Sequence, residues 1–163
     1  MDIIGRYELH KRKAAQSSLE LLITLSFGLI ILLPIVVLAF IQISSSSSTL
    51  STTEAQQSAS KMAGIATSVG SQGFPAKQLI LLNVPPDVEN ILVGSLNNTV
   101  GHEIVFEVRT NAGLDYVTAY TPVNVSGNLA SITSTGTYLV NVSAQSSCPT
   151  NAGVSCVYMI PSQ

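Results

Sequence analysis

Glu20 is the ionisable residue whose position most needs a chemical explanation. It directly precedes residues 21–43, a run without a charged side chain that is dominated by Leu, Ile, Val and Phe. A carboxylate costs about 2.5–3.5 kcal/mol at the centre of a membrane helix and less near the interface. Two explanations stay open. The acid lies at the interface, where the positive end of the helix dipole favours it, or a cation pairs with it in a dry environment.

Cys148 and Cys156 are the two cysteines of the chain, and they lie close together. In a secreted domain such a pair usually forms a disulfide, and closing this short loop would stabilise the fold by about 2–3 kcal/mol. Two buried thiols are the alternative. A metal site is not expected, because no second cysteine pair and no nearby histidine accompanies them.

The histidines offer no catalytic constellation. His10 lies among the first basic residues, and His102 stands next to Glu103 in an alternating stretch. Adjacent side chains of a strand point to opposite faces, which argues against a His–Glu dyad. The sequence contains no glycine-rich phosphate loop, no Gly-x-Ser-x-Gly elbow and no calcium-loop spacing. We therefore expect no catalytic residue, no metal and no cofactor, and we do not expect an enzyme.

Charge is distributed unevenly along the chain. Arg6, Lys11, Arg12 and Lys13 precede the apolar run, whereas after Ala15 three basic residues stand against seven acidic ones. The acidic body could not neutralise a run of phosphates, so nucleic acid is not an expected partner. The basic cluster predicts a short cytoplasmic N-terminus and an exported C-terminal part.

Three sequons for N-glycosylation occur, at Asn97, Asn124 and Asn141. Within residues 138–143 the apolar side chains share one face of a predicted strand, which puts Asn141 on the other face. We expect at least one of the three to carry a glycan on an exported domain.

Residues 21–43 are long enough to cross a membrane, because about 20 apolar residues span the hydrocarbon core. The apolar region of a secretory signal is shorter, about 7–15 residues. The sequence therefore predicts one transmembrane helix, in a single-pass membrane protein whose C-terminal domain is extracellular.

Gln16, Ser18 and Glu20 follow the order Gln, any residue, Ser, any residue, Glu at the start of this run. This pattern resembles the class III signal peptide of archaeal type IV pilin-like proteins. The resemblance covers residues 11–43, and the rest of the layout only loosely. It implies that a membrane prepilin peptidase cuts between Ala15 and Gln16, removing the basic leader and keeping the helix.

The same resemblance implies a function. The new amino group of Gln16 would be a cation that Glu20 of a neighbouring subunit neutralises. Copies of the chain or related pilins would assemble through the helix, with an assembly platform and an ATPase, into an extracellular filament for adhesion or surface attachment. The alternative is a membrane-anchored extracellular module that captures a sugar, peptide or substrate and does not polymerise.

Beyond the membrane segment the sequence predicts a continuing helix. Ala55, Ala59, Met62, Ala66 and Val69 recur at spacings of three and four residues and form a seam of small apolar side chains. We expect one helix over about residues 16–69, interrupted or loosened near the proline at position 34 and the serines at 44–48. The seam would pack against other copies, against its own head domain, or both.

The C-terminal half predicts a β-rich head domain, because short alternating runs are separated by turn residues. The fold class is therefore α+β, a long N-terminal hydrophobic helix followed by a small antiparallel β-sheet or sandwich. The domains are a leader at 1–15, a membrane helix at 16–43, a helical extension at 44–73 and a head at 74–163. The six candidate strands are residues 78–84, 91–96, 102–110, 116–125, 138–143 and 155–160.

Overall fold

The computed structural model describes residues 3–95 and 99–162, with side chains from Ser18 onward. These residues form one helix and six strands, which confirms the predicted α+β class. The elements are α1 (Ile3–Gln72), β1 (Lys77–Val84), β2 (Val88–Gly94), β3 (Gly101–Thr110), β4 (Gly113–Gly127), β5 (Gly136–Gln145) and β6 (Cys156–Pro161). The chain divides into two units, Met1–Ser44 and Ser45–Gln163.

Helix α1 continues without a break through Pro34 and the serine run, so the predicted interruption is wrong. Serine and threonine disfavour helices when their hydroxyls compete for backbone groups. Here the hydroxyls donate within the helix to the carbonyl four residues earlier, for example Thr49 to Ser45 at 3.0 Å and Ser51 to Ser47 at 3.2 Å. The polar stretch is therefore compatible with helical geometry.

Helix α1 ends at Gln72, where Gly73 adopts a φ of 72°. The Gly73 N–H donates to the carbonyls of Val69 and Gly70, each at 3.2 Å. A left-handed residue at this position lets the chain turn out of a helix, and glycine adopts it without a Cβ clash.

The strands form a single mixed sheet in the order β1-β5-β6-β4-β3-β2. Neighbouring strands are antiparallel except for β4 and β6, which pair in parallel over residues 125–127 and 157–159. The sheet is therefore neither purely antiparallel nor a sandwich. The parallel pair arises because β5 joins the far side of β6 instead of pairing with β4, the strand before it in the chain.

The seam of α1 packs into the core of its own head domain. Ala55, Ala59, Met62 and Ala66 are fully buried, and Val69 is 2% exposed. They join one hydrophobic cluster with the inward side chains of all six strands. Burying a large apolar side chain such as Met62 contributes about 1.5–3 kcal/mol. The sequence left open whether the seam packs against other copies or against its own head domain. The structure shows that it packs against its own head, so these side chains are not available to another copy.

Candidate functional site: the N-terminal apolar helix

The first part of α1 carries an apolar surface that is more than half exposed all around the helix. Large hydrophobic side chains from Leu19 to Ile43 are between 51% and 73% exposed. Within the described residues, Ser18–Gln72 is the helix that is long and apolar enough to cross a membrane, and its most apolar window has a mean hydropathy of 2.9. Lipid, or the apolar surface of another helix, is the environment that would cover such side chains without a free-energy penalty.

The two hydroxyl side chains inside this apolar stretch form hydrogen bonds with the backbone of their own helix. The Thr24 hydroxyl lies 2.9 Å from the Glu20 carbonyl and 3.0 Å from the Leu21 carbonyl, and the Ser26 hydroxyl donates to the Leu22 carbonyl at 2.8 Å. Such back-bonding lets hydroxyls enter a hydrocarbon environment without an unpaired donor.

Glu20 differs from these hydroxyls because its charge has no compensation within the described side chains. The carboxylate is exposed, and no salt bridge involving it is present among them. Its nearest described neighbours along the helix face, Ile23 and Thr24, are uncharged. Ser18, two residues earlier, is also exposed. The carboxylate therefore needs water or a cation from outside this part of the chain.

Ala15 and Gln16 lie in the helical backbone of α1, while their side chains lie outside the described residues. The predicted cleavage between them thus concerns a peptide bond in a helical segment. A peptidase that binds its substrate in an extended conformation would have to open this turn locally.

Cys148 and Cys156 form the predicted disulfide, with sulfurs 2.07 Å apart and Cα atoms 5.4 Å apart. Both residues are buried, and Cys156 opens β6. The Cys148 N–H also donates to the Val154 carbonyl at 2.8 Å. The bridge therefore ties the loop between β5 and β6 to the start of β6.

The sequons differ in what the structure reveals. Asn97 lies outside the described residues. Asn124 is half-buried, and its amide nitrogen, the atom that a glycan would take, donates to the Ser155 carbonyl at 3.3 Å. Asn141 lies on the face opposite Val140 and Val142, as predicted, but it is half-buried and its Oδ1 is inaccessible and without a hydrogen-bond partner in the described part of the chain.

His102 is exposed at the start of β3. Its Nδ1 lies 3.1 Å from the Thr121 carbonyl, and its ring centroid is 5.9 Å from that of Tyr120. Among the side chains that the structure describes, at residues 18–95 and 99–162, no group of three or more His, Cys, Asp or Glu is placed to hold a metal ion.

Sequence reasoning missed a second surface, the edge of β4. The alternating pattern at 116–125 predicts a strand, but no sequence signal indicates which strand would pair with each of its sides. That edge is treated below. Comparison with known protein families, with curated proteins and with solved structures gives no match for this chain.

Proposed function

We propose that this chain is a type IV pilin-like subunit. A prepilin peptidase removes residues 1–15, and the helix that begins at Gln16 assembles with other copies or related pilins into an extracellular filament for adhesion or surface attachment. The assembly platform and ATPase of that pathway are its further partners. Before assembly the protein is anchored in the membrane by α1, with the head domain outside the cell.

One observation carries the proposal: a carboxylate without a described ion-pair partner stands at the head of an exposed apolar helix. Cleavage before Gln16 would create an ammonium group four residues from Glu20. A neighbouring copy, offset along the helix, would bring one chain's ammonium to the other's carboxylate. Two desolvated opposite charges stabilise each other only when they are paired, so the pair would favour one register of assembly.

The burial of the alanine seam excludes these side chains from the contacts between copies. The seam side chains within residues 55–69 are buried against the chain's own head. Contacts between copies would therefore rest on the exposed apolar side chains between Leu19 and Ile43. In lipid, such helices associate through close packing and polar contacts, because the hydrophobic effect does not distinguish lipid from helix.

Glu20→Gln tests the proposal by removing the charge while preserving side-chain size. We expect normal membrane insertion, and loss of filaments from the sheared cell-surface fraction by at least tenfold. Mass spectrometry of the wild-type protein should show a mature N-terminus at Gln16. Glu54→Gln is the matched control, because Glu54 is an exposed carboxylate on the same helix outside the apolar run, and it should assemble as the wild type does.

Two results would contradict the proposal. An intact Met1 in the mature membrane protein would favour the alternative, a single-pass binding module that keeps its leader. Normal filament yield from Glu20→Gln would show that the carboxylate does not support assembly.

A further inference from the structure

Strand β4 has an open edge along its first half. Residues 113–120 pair with β3 on one side, whereas β6 pairs with residues 125–127 alone. Among the described residues, no strand lies against the other side of 113–120. In an antiparallel ladder every second residue turns its N–H and C=O away from its partner. Counted from the two-residue turn closed by Thr110 and Gly113, these outward residues are Leu114, Tyr116, Thr118 and Tyr120.

The two outermost strands of the sheet, β1 and β2, have edge backbone groups that are hydrogen-bonded to side chains, whereas residues 116–120 of β4 have no such bonds among the described residues. The Lys61 ammonium donates to the Leu81 carbonyl of β1 at 2.8 Å, and the Ser58 hydroxyl donates to the Asn83 carbonyl at 2.6 Å. In β2 the Ile91 N–H donates to the Asn90 side chain at 3.0 Å, next to a register shift. Proteins cover exposed edges because a bare edge is a template for another strand.

The open edge of β4 faces a groove of about 620 Å³. One wall is formed by β4 residues 115–118. The other wall consists of polar side chains of α1: Thr52, Thr53, Gln56 and Gln57. An extended segment in this groove would pair with the β4 backbone on one side and meet hydroxyl and amide groups on the other, which is the geometry of recognition by strand addition.

The outer face beside this edge presents two matched pairs of side chains. Tyr120 lies opposite Glu103, and Tyr116 lies opposite Glu107. The two tyrosines are 69% and 52% exposed. A carboxylate next to an aromatic ring attracts a cationic side chain by charge and by cation–π interaction.

The charge balance around the groove is acidic. Asp115 lines it, and the guanidinium of Arg109 on β3 is already paired with Glu89. The two tyrosine–glutamate pairs are four residues apart along β4, roughly 13 Å at the rise of a strand. Residues i and i+4 of an added strand would meet both pairs on the same face.

We propose that the edge of β4 at residues 114–120 binds an extended segment of a partner protein by strand addition, and that this segment carries Lys or Arg at positions i and i+4. The outward backbone groups supply the affinity, and the two tyrosine–glutamate pairs select the basic residues. This binding does not require filament assembly.

The test uses the full-length chain in detergent micelles and a fluorescent peptide, Thr-Lys-Thr-Val-Thr-Lys-Thr, followed by anisotropy at low salt. The control peptide, Thr-Lys-Thr-Val-Lys-Thr-Thr, has the same composition but puts its lysines on opposite faces. We expect saturable binding of the first peptide and at least fivefold weaker binding of the second. Equal Kd values would overturn the proposed selection, and no saturable binding of either would overturn the site.

Two protein variants distinguish the contribution of backbone pairing to peptide binding from the contribution of the glutamate charges. Thr118→Pro removes an outward N–H without removing a bond to β3, and edge positions tolerate proline. It should weaken binding at least fivefold, whereas Thr118→Ala should not. The double variant Glu103→Gln with Glu107→Gln should weaken binding by about three- to tenfold, and Glu54→Gln should have no such effect.

Unchanged unfolding midpoints would show that these variants remain folded. Thr118→Pro binding the peptide as tightly as wild type would overturn strand addition. Concentration-dependent self-association that excludes the peptide and is lost in Thr118→Pro would instead identify a second copy as the occupant.

Discussion

Replacing Gly70 by alanine tests how closely the end of α1 lies against strand β4. A Cβ added at Gly70 would lie 2.9 Å from Val123 Cγ1, 3.0 Å from Cγ2 and 3.1 Å from Cβ. Ordinary carbon–carbon contacts are about 3.5–4.0 Å. Because the Cβ and both methyl groups of Val123 are too close, rotation about its χ1 does not clear the overlap.

Gly64 provides a matched control on the same helix, since an added Cβ there has no atom within 4 Å. Alanine at a compatible helical position stabilises a protein by about 0.4–1 kcal/mol relative to glycine. We therefore expect Gly64→Ala to raise the free energy of unfolding by that amount. At Gly70 the same gain is opposed by overpacking, which costs about 1–3 kcal/mol. The free energy of unfolding of Gly70→Ala should therefore be about 1–3 kcal/mol lower than that of Gly64→Ala.

The free energy of unfolding can be measured by urea titration of the full-length chain in detergent, followed by tyrosine fluorescence, because the head domain holds four of the five tyrosines. Val123→Ala completes a double-mutant cycle. Shortening the side chain at position 123 should relieve the overlap. Gly70→Ala should therefore destabilise the Val123→Ala variant less than the wild type, with a coupling free energy of about 0.5–3 kcal/mol. Equal stabilisation by Gly64→Ala and Gly70→Ala, with no coupling to Val123, would refute the close approach.

Two further predictions concern the disulfide of the head domain and the contact between α1 and β1. Replacing both Cys148 and Cys156 by serine should lower the free energy of unfolding by about 2–3 kcal/mol, measured by urea titration without reductant; adding reductant to the wild type should give a similar loss, and an unchanged midpoint in both would contradict a stabilising bridge. Ser58→Ala should lower it by about 0.5–1.5 kcal/mol, because Ser58 is buried and donates to the Asn83 carbonyl. The exposed Ser60 serves as the control, and equal effects of Ser58→Ala and Ser60→Ala would show that the bond to β1 contributes nothing measurable.

Local patterns predicted much of the fold. The alternating run at residues 102–110 predicted a strand, and Ile104, Phe106 and Val108 of that run are fully buried in β3. The short spacing of Cys148 and Cys156 predicted the disulfide. These predictions hold because side-chain periodicity and loop length are local properties. They can be read from the sequence without knowledge of any long-range contact.

Features that depend on long-range packing could be predicted only in part. The alanine seam indicated a buried helix face but left two covering surfaces open, because small apolar side chains suit a neighbouring helix and a sheet equally well. The half-burial of Asn141 follows from its place in β5, between β1 and β6, and the alternation of its own strand predicts the face but not the neighbours.

By itself the sequence determined that an uncharged apolar run at 21–43 follows a basic segment, that the carboxylate of Glu20 directly precedes this run and that a β-rich domain comes after it. Composition and periodicity are local properties, so they can be read directly from the sequence. Only the tertiary structure decided that the seam belongs to the chain's own head and that residues 113–120 of β4 keep an open edge among the described residues. Strand order and pairing depend on contacts between residues far apart in the chain, and no local pattern encodes which of several compatible edges will meet.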